Sequence, residues 1–375
     1  MTSPAALVGT GASRARADAR GAWIFSPALD AFAFVLPALV SLAVLAAIPE
    51  RPAGGSEWVW ITGVLLVDVA HVWSTLFITY LNPAELRRHP ERYAGVPLAG
   101  WVLGVLLYSA AGPEWFWRCL AYLAVFHFVR QQYGWMMLYR ARAGERDRLG
   151  KWIDGAAIYA ATLYPLAWWH AHLPRGFDWF LPGDFARGVP VAVATASGFV
   201  YVACLVAYAG RAIVQHARGA RIAWGKHLLL CATAATWYAG IVLFDDDDAF
   251  TLTNVLSHGI PYAVLVFSFA RHVAPHEPGW GARLLGGSVF SAGVRFVACL
   301  WLVAYLEELL WDRAVWHERP QLFGAGFELS SLEAWLVPLL AVPQLTHYVL
   351  DGVFWRRAEN ANLRSWFASI RAENG

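Results

Sequence analysis

An all-α, polytopic membrane bundle is the fold class this sequence predicts, and three observations carry the prediction. Of 375 residues, 58% are hydrophobic and only 15% charged, where soluble domains carry roughly 25% charged residues. The apolar residues gather in stretches of about 20, enough for an α-helix to cross a hydrocarbon core of about 30 Å. Runs such as FAFVLPALVSLAVLAAI, residues 32–48, are continuous, whereas a membrane β-barrel needs alternation over strands of about ten residues.

About ten transmembrane helices are expected, over residues 28–48, 58–81, 94–111, 115–139, 152–169, 189–209, 227–244, 250–270, 289–310 and 331–354. The first is the uninterrupted run quoted above. The second is broken only by Asp68 and His71, and the third, GVPLAGWVLGVLLYSAA, has no charge. The fourth contains His127 and Arg130, the eighth Asn254 and His258, the ninth Arg295, and the tenth His347 and Asp351. Basic residues supply an independent check on this threading. With the N-terminus inside, Arg87, Arg88 and Arg92, then Arg140 to Lys151, Arg211 to Lys226, and Arg356 and Arg357 all fall on the cytoplasmic side. The opposite side holds only Arg51, Arg118, Arg175, Arg187, Arg313 and Arg319. Such alternation predicts both termini cytoplasmic.

Residues 1–22, rich in Ala, Gly, Ser and Arg and without the apolar core of a signal peptide, read as a flexible cytoplasmic N-terminus; 23–357 form the transmembrane helical domain; 358–375 are a cytoplasmic C-terminal tail. This places the chain in the cytoplasmic, or inner, membrane of a bacterium, with membrane lipids as its surroundings. Its basic loops suit anionic headgroups, and they give no reason to invoke nucleic acid. Cys119, Cys204, Cys231 and Cys299 form no CxxC pair and read as small core residues. The run Asp245–Asp248 reads as a helix cap and loop, or alternatively as a cation-attracting mouth. The aromatic-rich connections 170–188 and 311–330 are long enough to cap the bundle.

Ionisable side chains inside a membrane are costly and usually face a bundle interior, pore or cofactor, which makes the remaining polar residues informative. Asp68 and His71 stand three apart in the second span, and His127, Arg130 and Gln131 lie on overlapping faces of the fourth, with Tyr133 nearby. Asn254 and His258 follow in the eighth, and Gln344, His347 and Asp351 in the tenth. At 1.5 Å per residue, His71, His127 and His347 fall within about 6 Å of one depth, with His258 approaching from the outer side. Four imidazoles and two carboxylates are the inventory of a transition-metal site: His71, His127, His258, His347, Asp68 and Asp351 as metal ligands, or the carboxylates as groups that orient the imidazoles. Arg130, Gln131 and Tyr133 are the candidate catalytic residues, Arg130 pairing with Asp68 or Asp351 or holding an acidic substrate group. His227, Asn254, Arg295 and Gln344 are supporting or alternative residues, Arg295 also reading as a side chain that reaches the cytoplasmic interface. Glu307 and Glu308 read as interfacial.

A metal enclosed by apolar helices suits oxygen chemistry on a lipophilic small-molecule substrate, with an electron donor where the reaction needs one. Non-haem iron leads as the cofactor; haem, with His127 and His347 as axial ligands, or another transition metal are the alternatives. In its scattered Asp68, His71, His127, His258 and His347 the chain resembles the membrane carotenoid-cleaving dioxygenases related to bacteriorhodopsin-associated protein. That resemblance implies a multispan bundle whose histidines hold non-haem iron and cleave a carotenoid to retinal; ten spans exceed what it implies. The crowded HxxxH and HxxHH series of membrane desaturases and hydroxylases is absent, as are a dinucleotide fingerprint, a phosphate loop and a G-x-S-x-G nucleophile. The rival class is a proton-coupled transporter, in which buried His, Asp and Arg relay protons and Pro37, Pro165, Pro261, Pro338 and Pro343 interrupt helices.

Overall fold

The computed structural model describes residues 23–52, 54–327, 329–356 and 360–373; the expected N-terminal segment 1–22 and Arg357 lie outside them. Numbering only the long helices, α1 is Pro27–Ala47, α2 Glu57–Ile78, α3 Pro90–Ala111, α4 Pro113–Arg142, α5 Arg148–Ala171 and α6 Val191–Ala217. Then follow α7 Trp224–Leu243, α8 Asp247–Val273, α9 Val289–Trp316, α10 in two halves, Glu333–Leu340 and Val342–Phe354, and α11 Ala361–Glu373. A helix therefore stands at each of the ten expected positions. Seven of them, α1, α2, α3, α6, α7, α8 and α9, are long and apolar enough to cross a membrane, and α10 is an eighth if its halves count as one span. Helices α4 and α5, at 30 and 24 residues, have the length but are more polar: α4 carries His127, Arg130, Gln131 and Gln132, and α5 carries Lys151, Asp154 and His170.

The halves of α10 meet at a 41° bend. Pro343 opens the second half, and with no N–H to donate it breaks the hydrogen-bond ladder at that point. Stretches of wider, π-type winding occur at Ala31–Val35, Trp60–Val69, Tyr238–Leu243, Thr251–Val255 and Asp312–Trp316, and two of these, in α2 and α8, stand just before His71 and His258. Such winding is rare and concentrates at functional sites.

Helix α8 lies at the centre, with 67% of its apolar stretch buried, whereas α3 and α6 have 11% each and present their flanks outward. It packs against α1 and α2; α2 also touches α9 and α10, and α10 touches α3 and α4. Two glycines set the close approach of α2 to α8. A β-carbon on Gly63 would collide with Thr251 Cγ2, and one on Gly259 would come within 2.7 Å of Val67 Cγ1. Helix α8 runs without a break past Gly259 and Pro261, so the glycine serves approach and opens nothing.

Ion pairs and polar caps hold the ends. Buried Asp30 accepts from the Ile24 and Phe25 amides at 2.7 and 2.9 Å and from the Tyr139 hydroxyl at 2.9 Å. At the same end, Asp154, fully buried, binds Arg140 and Lys226, the latter at 3.2 Å, and Glu145 binds Lys226 at 2.5 Å and Arg211 at 3.0 Å. Burial raises the Glu145 pKa, but Lys226 and Arg211 more than offset this and hold it below its ordinary value of 4.5. A depressed folded-state pKa gives stability that is complete above the ordinary value and is lost as pH falls through the depressed one. The melting temperature of the solubilised protein is therefore expected to fall between pH 6 and pH 3, and Glu145→Gln to flatten that fall. Equal pH slopes in the two proteins would contradict it.

Asp246 caps α8 by accepting from the Ala249 amide at 2.8 Å and pairs with Arg51 at 2.7 Å, as a cap reading of the acidic run requires. Phe177, Trp179 and Phe185 of the connection after α5 pack on Trp169 and Phe250, closing one end of the bundle. The cysteines correct the sequence reading: Cys119 and Cys231 are exposed and Cys204 and Cys299 only half-buried, so they face outward from the bundle.

Candidate metal centre

The four intramembrane histidines meet. His71 from α2, His127 from α4, His258 from α8 and His347 from α10 are each at least nine-tenths buried, and one ring nitrogen of each lies within 4.8 Å of all the others. The Nε2 atoms of His258 and His71 are 3.1 Å apart, and those of His347 and His127 are 3.2 Å apart. Metal–imidazole bonds of about 2.0–2.1 Å put neighbouring ligand nitrogens roughly 3.0–3.4 Å apart. These two pairs thus have the spacing of neighbouring ligands around one first-row ion, and the cluster is a buried site capable of coordinating a metal.

Behind the ring of nitrogens stands a partial ring of acceptors. His71 Nδ1 is 3.6 Å from Asp68 Oδ1, and His127 Nδ1 is 3.9 Å from Asp351 Oδ2, both in ion-pair range and longer than a hydrogen bond. Thr75 Oγ1 lies 2.9 Å from His347 Nδ1. His258 Nδ1 has no hydrogen-bond partner; instead the ring stacks on Phe128 with centroids 3.6 Å apart. Outer groups of this kind fix the orientation of an imidazole and raise its basicity. The Tyr262 and Tyr348 rings, 5.0 and 4.8 Å from His347 and His127, complete an aromatic wall.

The carboxylates divide differently from the sequence expectation. Asp68 serves the histidine of its own helix, but Asp351 reaches across to His127 and leaves His347 to Thr75. Gln131 is buried next to the site, with neither amide atom hydrogen-bonded. Arg130 is a correction: it is exposed and bonds the Tyr159 hydroxyl instead of Asp68 or Asp351. Tyr133 stacks on the same Tyr159 at 4.9 Å, also away from the histidines. Helical geometry explains both. At about 100° per residue, Gln131 stays about 40° from His127, while Arg130 and Tyr133 turn about 60° and 120° to the other side, toward α5.

The supporting residues disperse. His227 bonds Tyr208 at 2.7 Å beside the Lys226 network, and Arg295 donates to the Leu284 carbonyl at 2.7 Å and to Gly286, as its interfacial reading expects. Buried Asn254 donates to Thr253 at 3.0 Å, with its Oδ1 unpaired. Gln344 lines a cavity one turn before Tyr348. The haem alternative with His127 and His347 as axial ligands does not fit. Axial nitrogens stand about 4 Å apart across a porphyrin, these are 3.2 Å apart, and His71 and His258 occupy the space the macrocycle needs.

Thr75, Tyr262, Tyr348 and Phe128 escaped the sequence reading. For two of them the signal was present: Thr75 follows His71 by four residues, and Tyr262 follows His258 by four, each on the face of its histidine. In comparisons with known proteins, no family model, curated protein or solved structure matches the chain.

Proposed function

We propose that this chain is an integral-membrane, non-haem iron oxygenase that acts on a lipophilic substrate. The observation that carries the proposal is the convergence of four imidazoles, from four different helices, in one buried layer. His71, His127, His258 and His347 would hold the iron through Nε2, with Asp68, Asp351 and Thr75 turning three of the rings. Iron so held supplies the redox chemistry that activates dioxygen. The chain's own part is to exclude water with Phe128, Tyr262 and Tyr348, and to keep the Nδ1 protons of His71 and His127 directed at carboxylates. Gln131, with both amide atoms free, is the polar group available beside the centre to orient a substrate. Ten crossings with both termini in the cytoplasm of a bacterium belong to this reading, as does the arrangement resembling that of the carotenoid-cleaving dioxygenases, which makes a carotenoid-like polyene the first substrate to try. A dioxygenase of that type needs no electron donor; a monooxygenase at this centre would.

One observation favours a second reading. The Nε2 pairs at 3.1 and 3.2 Å are also hydrogen-bond distances, so two imidazole pairs flanked by Asp68 and Asp351 would form a proton relay for a transporter. Turnover separates the two. Iron-loaded protein with a polyene substrate is expected to consume oxygen in proportion to product. Proton-coupled solute flux in sealed vesicles, unaffected by chelation and without oxygen uptake, would contradict the oxygenase.

A further inference from the structure

A cavity of about 580 Å³ opens among the loops at one end of α2, α8 and α9 and runs down to Asp68 and Gln344, beside the histidine cluster. Its wall carries the carboxylates of Asp68, Asp178, Asp247, Asp248, Glu307 and Glu308. Among the described residues Arg319 is the one cation on that wall, and it is already engaged: it pairs with Glu57 at 3.5 Å and Glu318 at 2.8 Å and lies over the Trp60 ring. Asp248 is held by Ser56 and Glu307 by the Trp73 indole at 2.6 Å. Glu308 has no hydrogen bond or ion pair within 4 Å among the described residues, although the charge of Arg319 acts on it. Nor has the hydroxyl of Thr251, a cavity-lining residue only 8% exposed whose methyl group is turned to Gly63. At the inner end Asp68 stands 3.6 Å from His71 Nδ1, which has no hydrogen bond.

Acidic clefts with low-dielectric walls concentrate cations. The volume exceeds that of a bare ion and holds on the order of ten to twenty waters, enough to admit a hydrated one. Oxygen ligands bind first-row divalent ions more weakly than imidazoles do, so the wall offers transient holds that strengthen into the four nitrogens at the bottom. We infer that this cavity is the loading path by which a divalent transition-metal cation reaches His71, His127, His258 and His347. The inference rests on the metal reading of those histidines.

Co²⁺ is the probe, because its visible absorption reports imidazole coordination. Metal-free, solubilised full-length protein is mixed with Co²⁺, and the rate of uptake is followed separately from final occupancy. The Glu307→Gln/Glu308→Gln variant is expected to load at least tenfold more slowly and reach the occupancy of the unaltered chain; in the latter, raising salt from 0.05 to 0.5 M is expected to slow loading. Asp178→Asn, on a loop and so without risk to the bundle, is expected to slow it less. Unchanged rates in the variants and in salt would overturn the loading path while leaving the metal site standing. Loss of final occupancy in Glu307→Gln/Glu308→Gln would make those carboxylates ligands and overturn it too. No Co²⁺ uptake by the unaltered protein would overturn both the path and the metal reading.

Discussion

Replacing His347 by alanine is expected to lower metal affinity at least tenfold, and with it occupancy at sub-saturating free metal, while helical content stays that of the unaltered chain. His347 is 1% exposed, its Nε2 lies 3.2 Å from that of His127, and its ring touches those of His71 and Tyr262. Removing a group that merely orients a ligand typically costs ten- to a hundredfold in metal affinity; removing the ligand itself costs no less. The bundle should survive, because the space left behind lies in a layer whose packing is shared by four helices and whose neighbours are aromatic rings. Metal analysis beside circular dichroism checks both halves of the expectation. Full occupancy in a folded His347→Ala protein would take His347 out of the ligand set.

Thr75→Val is the second large effect. Valine keeps the shape of threonine and removes only the oxygen that faces His347 Nδ1 at 2.9 Å, leaving a buried N–H with no acceptor. Affinity for metal is expected to fall about ten- to a hundredfold, and Thr75→Ser, which keeps the hydroxyl, to restore most of it. A competition titration against a chelator of known affinity measures the difference. Equal affinities for the threonine and valine proteins would show that the hydroxyl does not orient the ring.

These two residues also mark how far the sequence could be read. His347 was visible because a histidine inside a 20-residue apolar run is expensive, and counting 1.5 Å per residue put it level with His71 and His127. His258 was placed too far out. Its helix begins at Asp247, not 250, which adds about 4–5 Å of depth, and the widened winding at Thr251–Val255 changes the angle at which the ring emerges. Hydropathy carries no trace of such winding. Spacing along a helix could pair Asp68 with His71, but it could not reveal that Asp351 turns to His127, since that contact depends on the crossing of α4 and α10 after the bend at Ala341. Arg130 was misdirected for a related reason: a charge expected to neutralise a buried carboxylate found the Tyr159 hydroxyl on the next helix.

The helices themselves were more legible than the site, because each depends on one local property, a long apolar run, whereas the site depends on four helices meeting. Gly63, which allows α2 to approach α8, carries no mark in the sequence that separates it from any other glycine in an apolar run.

The central claim, that the four imidazoles hold one metal ion, is tested most directly by elemental analysis and absorption spectroscopy of the purified protein after incubation with Fe²⁺ under anaerobic conditions. The account predicts close to one first-row metal ion per chain and no Soret band. Well-folded protein that retains no metal would contradict it.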